Sequence, residues 1–130
     1  MIALDSSALL KLVLVEPESE ALEDWLAGQR LEPWSCSELV AVEVVRACRR
    51  VDVAAVQAAR ALLTQLDLVP LDRALLDAAA ALPARHLRSL DAVHLASALA
   101  LGEALDVFVA YDARLLEAAR DAGLPVASPA

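Results

Sequence analysis

Aromatic side chains are scarce in this 130-residue chain: two Trp, one Tyr and one Phe, 3% of the total. The core must therefore be built from Ala, Leu and Val, which lift the hydrophobic share to 59%, above the roughly 45–50% of ordinary soluble domains. Such a mixture suits closely packed helices on a sheet and leaves apolar surface for a partner. Cysteine is equally sparse. Cys36 and Cys48 have no CxxC spacing and no histidine pair beside them, which excludes a zinc site and reads as two buried thiols in a reducing cytoplasm. No apolar run reaches the roughly 18 residues that span a membrane, because Lys11 and His94 interrupt the longest ones. No basic segment precedes the first apolar run, so no secretory signal is expected and the protein is expected to be cytoplasmic, without membrane attachment. Basic charge is also short, with 11 Lys and Arg against 19 Asp and Glu and a net charge of -8. That balance excludes a simple electrostatic nucleic-acid binder. Even with four carboxylates set aside as metal-bound the chain stays acidic, so a nucleic acid would have to be met by local basic patches and metal ions.

The length fits a single domain, 1–130, large enough to fold without disulfide or metal staples. MIAL reads as a strand, and Ser6 or Ser7 opens a helix over the LLKL pattern. Pro17 suits a first helical position ahead of ESEALEDWLAG, which Gly28 closes. After an extended piece at Pro33 and Trp34, SCSELVAVEVVRACRR is helical, with Ser35 and Glu38 at capping-box spacing or Ser37 as the cap. VDVAAVQAARALLTQL is a helix, LVPL a short strand, and Asp72 caps RALLDAAAAL, which Pro83 ends. PARHLRS is a basic loop. Ser89 then caps LDAVHLASALALG, apolar enough to be buried on most sides, and VFVA, DARLLEAARDAG and LPVA follow as strand, helix and strand. Strands alternating with helices predict a three-layer α/β/α sandwich around a mostly parallel sheet of about four strands.

Two acids recur in one arrangement. Asp5 ends the apolar strand MIAL and Asp112 follows VFVAY, each ahead of a helix. In parallel α/β folds the ligand crevice lies beyond the carboxyl ends of the strands, so both acids are placed at one rim. Two more interrupt helical patterns. Glu43 shares an apolar stripe with Leu39, Val40 and Ala47, and its alternative is a surface pair with Arg46. Asp91 falls in a first helical turn, where the helix dipole alone accounts for a carboxylate. Four acids drawn together repel unless a cation neutralises them. Oxygen-only ligands suit Mg2+ or Mn2+, ions that hydrolyse phosphodiesters by activating water and steadying the leaving oxygen.

The segments LDSSALLKL with EPES after it, SELVAVEVVRA, LRSLDAVHLASALALG and FVAYDARLLEAARDAGLPV resemble, in order and spacing, the PIN-domain ribonucleases, above all the toxins of VapBC-type toxin-antitoxin modules. The resemblance covers nearly the whole chain. It implies a PIN-like domain that cleaves RNA with Mg2+ or Mn2+ held by Asp5, Glu43, Asp91 and Asp112, with Ser7 supporting the first acid. It also implies a homodimer and a VapB-like cognate antitoxin whose basic residue reaches into the acidic pocket. None of the four acids is replaced.

Around them, Arg85, Arg88 and Arg114 are candidates for gripping RNA phosphate, with solvated surface charge as the alternative. His94, three residues after Asp91, reads as a buried hydrogen-bonded histidine, with a metal ligand as the alternative, and His86 as a loop residue. Arg46, Arg49 and Arg50 form either a second patch or a helix C-terminal cluster. Trp25 and Trp34 stack on bases or, more simply, pack in the core or at a dimer contact. Glu38, near the start of the pocket helix, is explained by capping, with a fifth acid of the site as the alternative. A phospho-acceptor receiver domain would need an acid pair after the first strand and a C-terminal Lys; here Ser6 follows Asp5 and Lys11 is the only lysine. A catalytically inert PIN-like protein that works by binding a partner remains the second reading, separable by activity.

Overall fold

The structure is a computed structural model and describes residues 1–29 and 33–130. Five parallel strands, β1 (Ile2–Leu4), β2 (Trp34–Ser37), β3 (Asp67–Val69), β4 (Val107–Val109) and β5 (Val126–Ala127), form one sheet in the order β3-β2-β1-β4-β5. Parallel neighbours cannot be joined by a tight turn, so helices cross over both faces and bury most of the middle strands. β1 is buried along its whole length. Its period-two alternation sends Ile2 and Leu4 to one face and Ala3 to the other.

On the first face lie α1 (Ser6–Val13), α2 (Ser19–Ala27), α3 (Val40–Val51) and α4 (Val53–Leu63), packed through Leu9, Leu22, Val44 and Val56. Trp25 and Trp34 pack against this cluster, so both are accounted for by the core. On the second face α6 (Ser89–Ala100) and α7 (Ala113–Asp121) cover Ala3 and Phe108 with Leu95, Leu115 and Ala119. α5 (Arg73–Ala80) packs on α6 through Leu75, Ala79 and Ala96. This is the expected α/β/α sandwich, with one strand more than predicted. α6 is buried all round at His94–Ala98, as its apolar sequence requires. Among the described residues no helix is long and apolar enough to cross a membrane. Both cysteines are free and buried, and burial pushes the Cys36 thiol up to about 12.

Three local expectations are corrected. Pro17 lies in the turn before α2 rather than at its first position. Ser19 organises that turn, its Oγ donating to Leu14 O and accepting from Glu16 N. The Ser35–Glu38 capping box does not form, because Ser35 belongs to β2 and donates to Asp67 O across the sheet. Ser37 Oγ accepts from Leu39 N instead, and Glu38 Oε2 accepts from Leu71 N, tying α3's approach to the loop after β3. Ser89 is the first residue of α6, not its cap; Arg88 holds that position without a side-chain hydrogen bond.

Asp5, Asp72 and Asp112 cap α1, α5 and α7 alike, each Oδ1 accepting a backbone N–H three residues on. Asp72 does nothing further for the acids described next. Asp72→Ala is expected to cost about 1 kcal/mol in urea unfolding and to leave divalent-ion binding unchanged.

Candidate active site

From β1 the chain moves outward to β2 and β3, then returns to β4 on the other side of β1. That reversal opens a crevice at the carboxyl ends of β1 and β4. Asp5 follows β1 directly, and its N–H still pairs with Val109 O of β4 at 3.1 Å, so the sheet itself sets the Asp5 backbone. Asp112 enters from the β4 side as the cap of α7. Glu43, one turn into α3, arrives from β2, and Asp91, in the first turn of α6, from the second helical layer.

Asp5 is 4% exposed. Its Oδ1 accepts from Ser7 Oγ at 2.7 Å and Ala8 N at 2.9 Å, while no donor among the described residues reaches Oδ2. Burial raises its pKa above the usual carboxylate range; the Ser7 and Ala8 hydrogen bonds oppose that rise and Asp91's negative charge adds to it. Asp91, half-buried, is raised by desolvation first and next by the Asp112 carboxylate, with Glu43 adding to the effect and His94 and Arg88 opposing it. Asp91 therefore sits within the electrostatic reach of all three other acids.

Glu43 is held differently. Ser6 Oγ donates to its Oε1 at 2.7 Å, and His94 Nε2 lies 2.6 Å from the same oxygen and 2.9 Å from Ser6 Oγ. A carboxylate only accepts, so Nε2 carries the proton. Burial pushes Glu43 up, yet the His94 and Ser6 hydrogen bonds outweigh it and hold the group below its ordinary value. The alternative pair with Arg46 is absent. His94 is 3% exposed, and its Nδ1 meets no hydrogen-bond partner among the described residues. The clamp made by Ser6 and His94 is the part of the site that sequence reading missed. Ser6 read only as a helix start, and its partners lie 37 and 88 positions away.

The donor set fits a hard divalent ion. It consists of carboxylate oxygens, among them Asp5 Oδ2, which no donor of the described residues reaches, and burial together with neighbouring negative charge raises Asp5 and Asp91. Among the described residues no group of three or more His, Cys, Asp or Glu side chains stands, as placed, in an arrangement that could hold a metal ion. What is preformed is the convergence of charge, not final ligation. Arg88 is near enough to Asp91 for its charge to be felt, whereas Arg85 and Arg114 stand with His86 along a neighbouring cleft. Arg46, Arg49 and Arg50 lie in the second half of α3, where the helix dipole favours them.

A parallel sheet between two helical layers, with acids gathered at its switch point, defines a PIN-like α/β protein. The chain belongs to the PIN-domain family, whose model matches residues 2–121. It is 44% identical over 131 residues to ribonuclease VapC35 of Mycobacterium tuberculosis, covering 99% of this chain and 97% of that protein. Among solved structures, the sarcin-ricin loop cleaving toxin VapC20 of Mycobacterium tuberculosis superposes with a TM-score of 0.79 at 20% identity, covering 99% of this chain and all of that one. VapBC2 of Rickettsia felis, solved bound to a DNA fragment from its promoter, gives a TM-score of 0.75 at 12% identity with full coverage of both chains.

Proposed function

We propose that this protein is a divalent-metal-dependent endoribonuclease, the toxin of a toxin-antitoxin pair, with Asp5, Glu43, Asp91 and Asp112 as its ion-holding acids. The observation that carries this reading is the gathering of these acids at the switch point, where burial, and with it the charge of neighbouring carboxylates, raises Asp5 and Asp91. Similarity to VapC35, a ribonuclease by name, supports RNA as the substrate. Similarity to VapBC2 supports a VapB-like antitoxin as partner. A Mg2+ or Mn2+ ion held by these oxygens supplies charge neutralisation and water activation for phosphodiester hydrolysis.

The chain's own residues do the rest. Ser7 and the Ala8 N–H fix Oδ1 of Asp5, which leaves Oδ2 directed to function. Ser6 and His94 keep Glu43 ionised and in one rotamer, so an acceptor oxygen is available at neutral pH without reorganisation. Arg88, beside Asp91, is placed to draw a phosphate toward the acids. A homodimer, silenced in the cytoplasm by the antitoxin's basic segment over the pocket, completes the proposal.

Purified protein free of antitoxin is expected to cut total cellular RNA at discrete positions with Mg2+ or Mn2+. Chelator should stop the cutting and re-added ion restore it. Cleavage that persists in chelator would refute the metal-dependent reading, and absence of cleavage with bound Mn2+ would favour the inert binding protein.

A further inference from the structure

A cleft of about 290 Å3 opens between residues 83–87 and one face of α7. We propose that it is a base-reading subsite for one unpaired guanine nucleotide of the RNA, with Arg85 and Arg114 on its phosphate and Glu117 and Asp121 on the N–H edge of its base. This rests on the ribonuclease reading above and adds a specificity element to it.

The cleft's position comes first. One wall leads into α6 and Asp91, and the other is α7, which begins at the Asp112 cap. Arg114, Glu117, Ala118 and Asp121 follow one another at helical i, i+3, i+4 and i+7 spacing, which explains why they share the face that lines the cleft. At 1.5 Å per residue, Asp121 stands roughly 10 Å farther along the helix than Arg114. Arg114 thus lies at the Asp112 end of the helix, and the two acceptors lie farther along it. A nucleotide entering from the acids would present its phosphate first and its base edge second.

Charge state gives the second support. Two arginines and two carboxylates of opposite sign line one cleft, all exposed, yet among the described residues none of the four makes an ion pair or a side-chain hydrogen bond. A ligand can therefore engage them without breaking an existing pair. In a chain with net charge -8, a local pair of cations is also what an RNA strand needs in order to approach.

The choice of base follows from acceptor chemistry. Carboxylates only accept hydrogen bonds. Guanine alone among the four bases offers adjacent N1–H and N2–H donors on its Watson–Crick edge. Uracil flanks its single N–H with carbonyls, which carboxylates repel, and adenine and cytosine pair one amino group with a ring acceptor. His86 lines the same cleft and belongs to the residue types on which splayed RNA bases stack.

The test is binding, separated from cleavage by placing every variant in an Asp5→Asn background. Fluorescein-labelled hexauridylate carrying one central guanosine, inosine or adenosine is titrated with protein in Mg2+ and followed by anisotropy. Guanosine is expected to bind on the order of tenfold tighter than adenosine, with inosine between them. Glu117→Gln with Asp121→Asn should erase that preference and, by removing two negative charges from the strand's path, bind the adenosine oligomer at least as tightly as the parent does. Arg85→Ala with Arg114→Ala should weaken all three and flatten the log–log salt dependence by roughly 0.7. Equal binding of the three oligomers by the parent, or a preference that survives the carboxylate changes, would overturn the proposal. In the catalytic background that carries Asp5, discrete cleavage by a guanine-indifferent cleft would refute the subsite alone. Guanine-selective binding by a protein that cuts nothing would refute the ribonuclease reading and leave the subsite standing.

Discussion

Asp5→Asn is expected to abolish RNA cleavage and, in chelator, to make the protein more heat-stable. Asn is as good a helix cap as Asp, and its Oδ1 can keep the hydrogen bonds from Ser7 Oγ and Ala8 N. What disappears is a buried negative charge. Burial raises the Asp5 pKa in the fold, so the native protein holds that proton more tightly than the unfolded chain does. The stability this provides is present below the ordinary carboxylate pKa and is lost as pH rises through the higher folded value. At pH 7 the ionised group is therefore a cost, and Asn removes it. A rise in Tm of a few degrees is expected, at roughly 4 °C per kcal/mol for a domain of this size. With Mn2+ the ranking reverses. At a hundredfold excess over Kd the ion adds about 2.7 kcal/mol, roughly 10 °C, to the unsubstituted protein and much less to the variant. Cleavage should fall by more than about 100-fold, since even groups that only orient a metal ligand are worth 10–100-fold. A variant that melts below the unsubstituted protein in chelator, or that cuts RNA at its rate, would refute the role given to Asp5.

Asp5 and Asp112 were legible in the sequence because each breaks a rule where a strand's apolar pattern ends and a helix begins. Their capping geometry shows that the bland explanation holds for both. A cap and a site acid are compatible uses of one carboxylate, since capping occupies Oδ1 alone. Glu43 was legible as a polar residue in an apolar stripe, although its partner was not, because the sequence places Arg46 nearby and the fold supplies His94 from another helix. Helical spacing reports neighbours on one helix. Contacts across three elements, such as Ser6 of α1 with Glu43 of α3 and His94 of α6, carry no periodic signal. The failed Ser35–Glu38 capping box has the same origin: the sheet claimed Ser35 for a cross-strand hydrogen bond that local spacing cannot anticipate.

His94→Leu is expected to separate stability from ion binding. The imidazole is buried, is tied only through Nε2, and leaves Nδ1 without a protein partner among the described residues. A buried unsatisfied polar atom costs roughly 1–3 kcal/mol, and leucine is a good helix former of comparable bulk. Glu43 is 26% exposed and keeps Ser6, so it is not stranded when the ring goes. The variant should therefore fold and melt at or above the temperature of the unsubstituted protein. Its Mn2+ affinity should nevertheless drop about 10–100-fold, the loss typical when a group that orients a metal ligand is removed. Without the Nε2–H donor, Glu43 is held by Ser6 alone, so its carboxylate is less fixed. His94→Gln, whose terminal amide can offer an N–H toward Glu43, should recover most of the affinity. Calorimetric titration of Mn2+ into the three proteins decides the matter. Equal affinities would reduce His94 to a packing residue, whereas loss in the leucine variant with recovery in the glutamine variant would establish that a buried helix residue sets the readiness of an acid presented from the opposite layer of the sandwich.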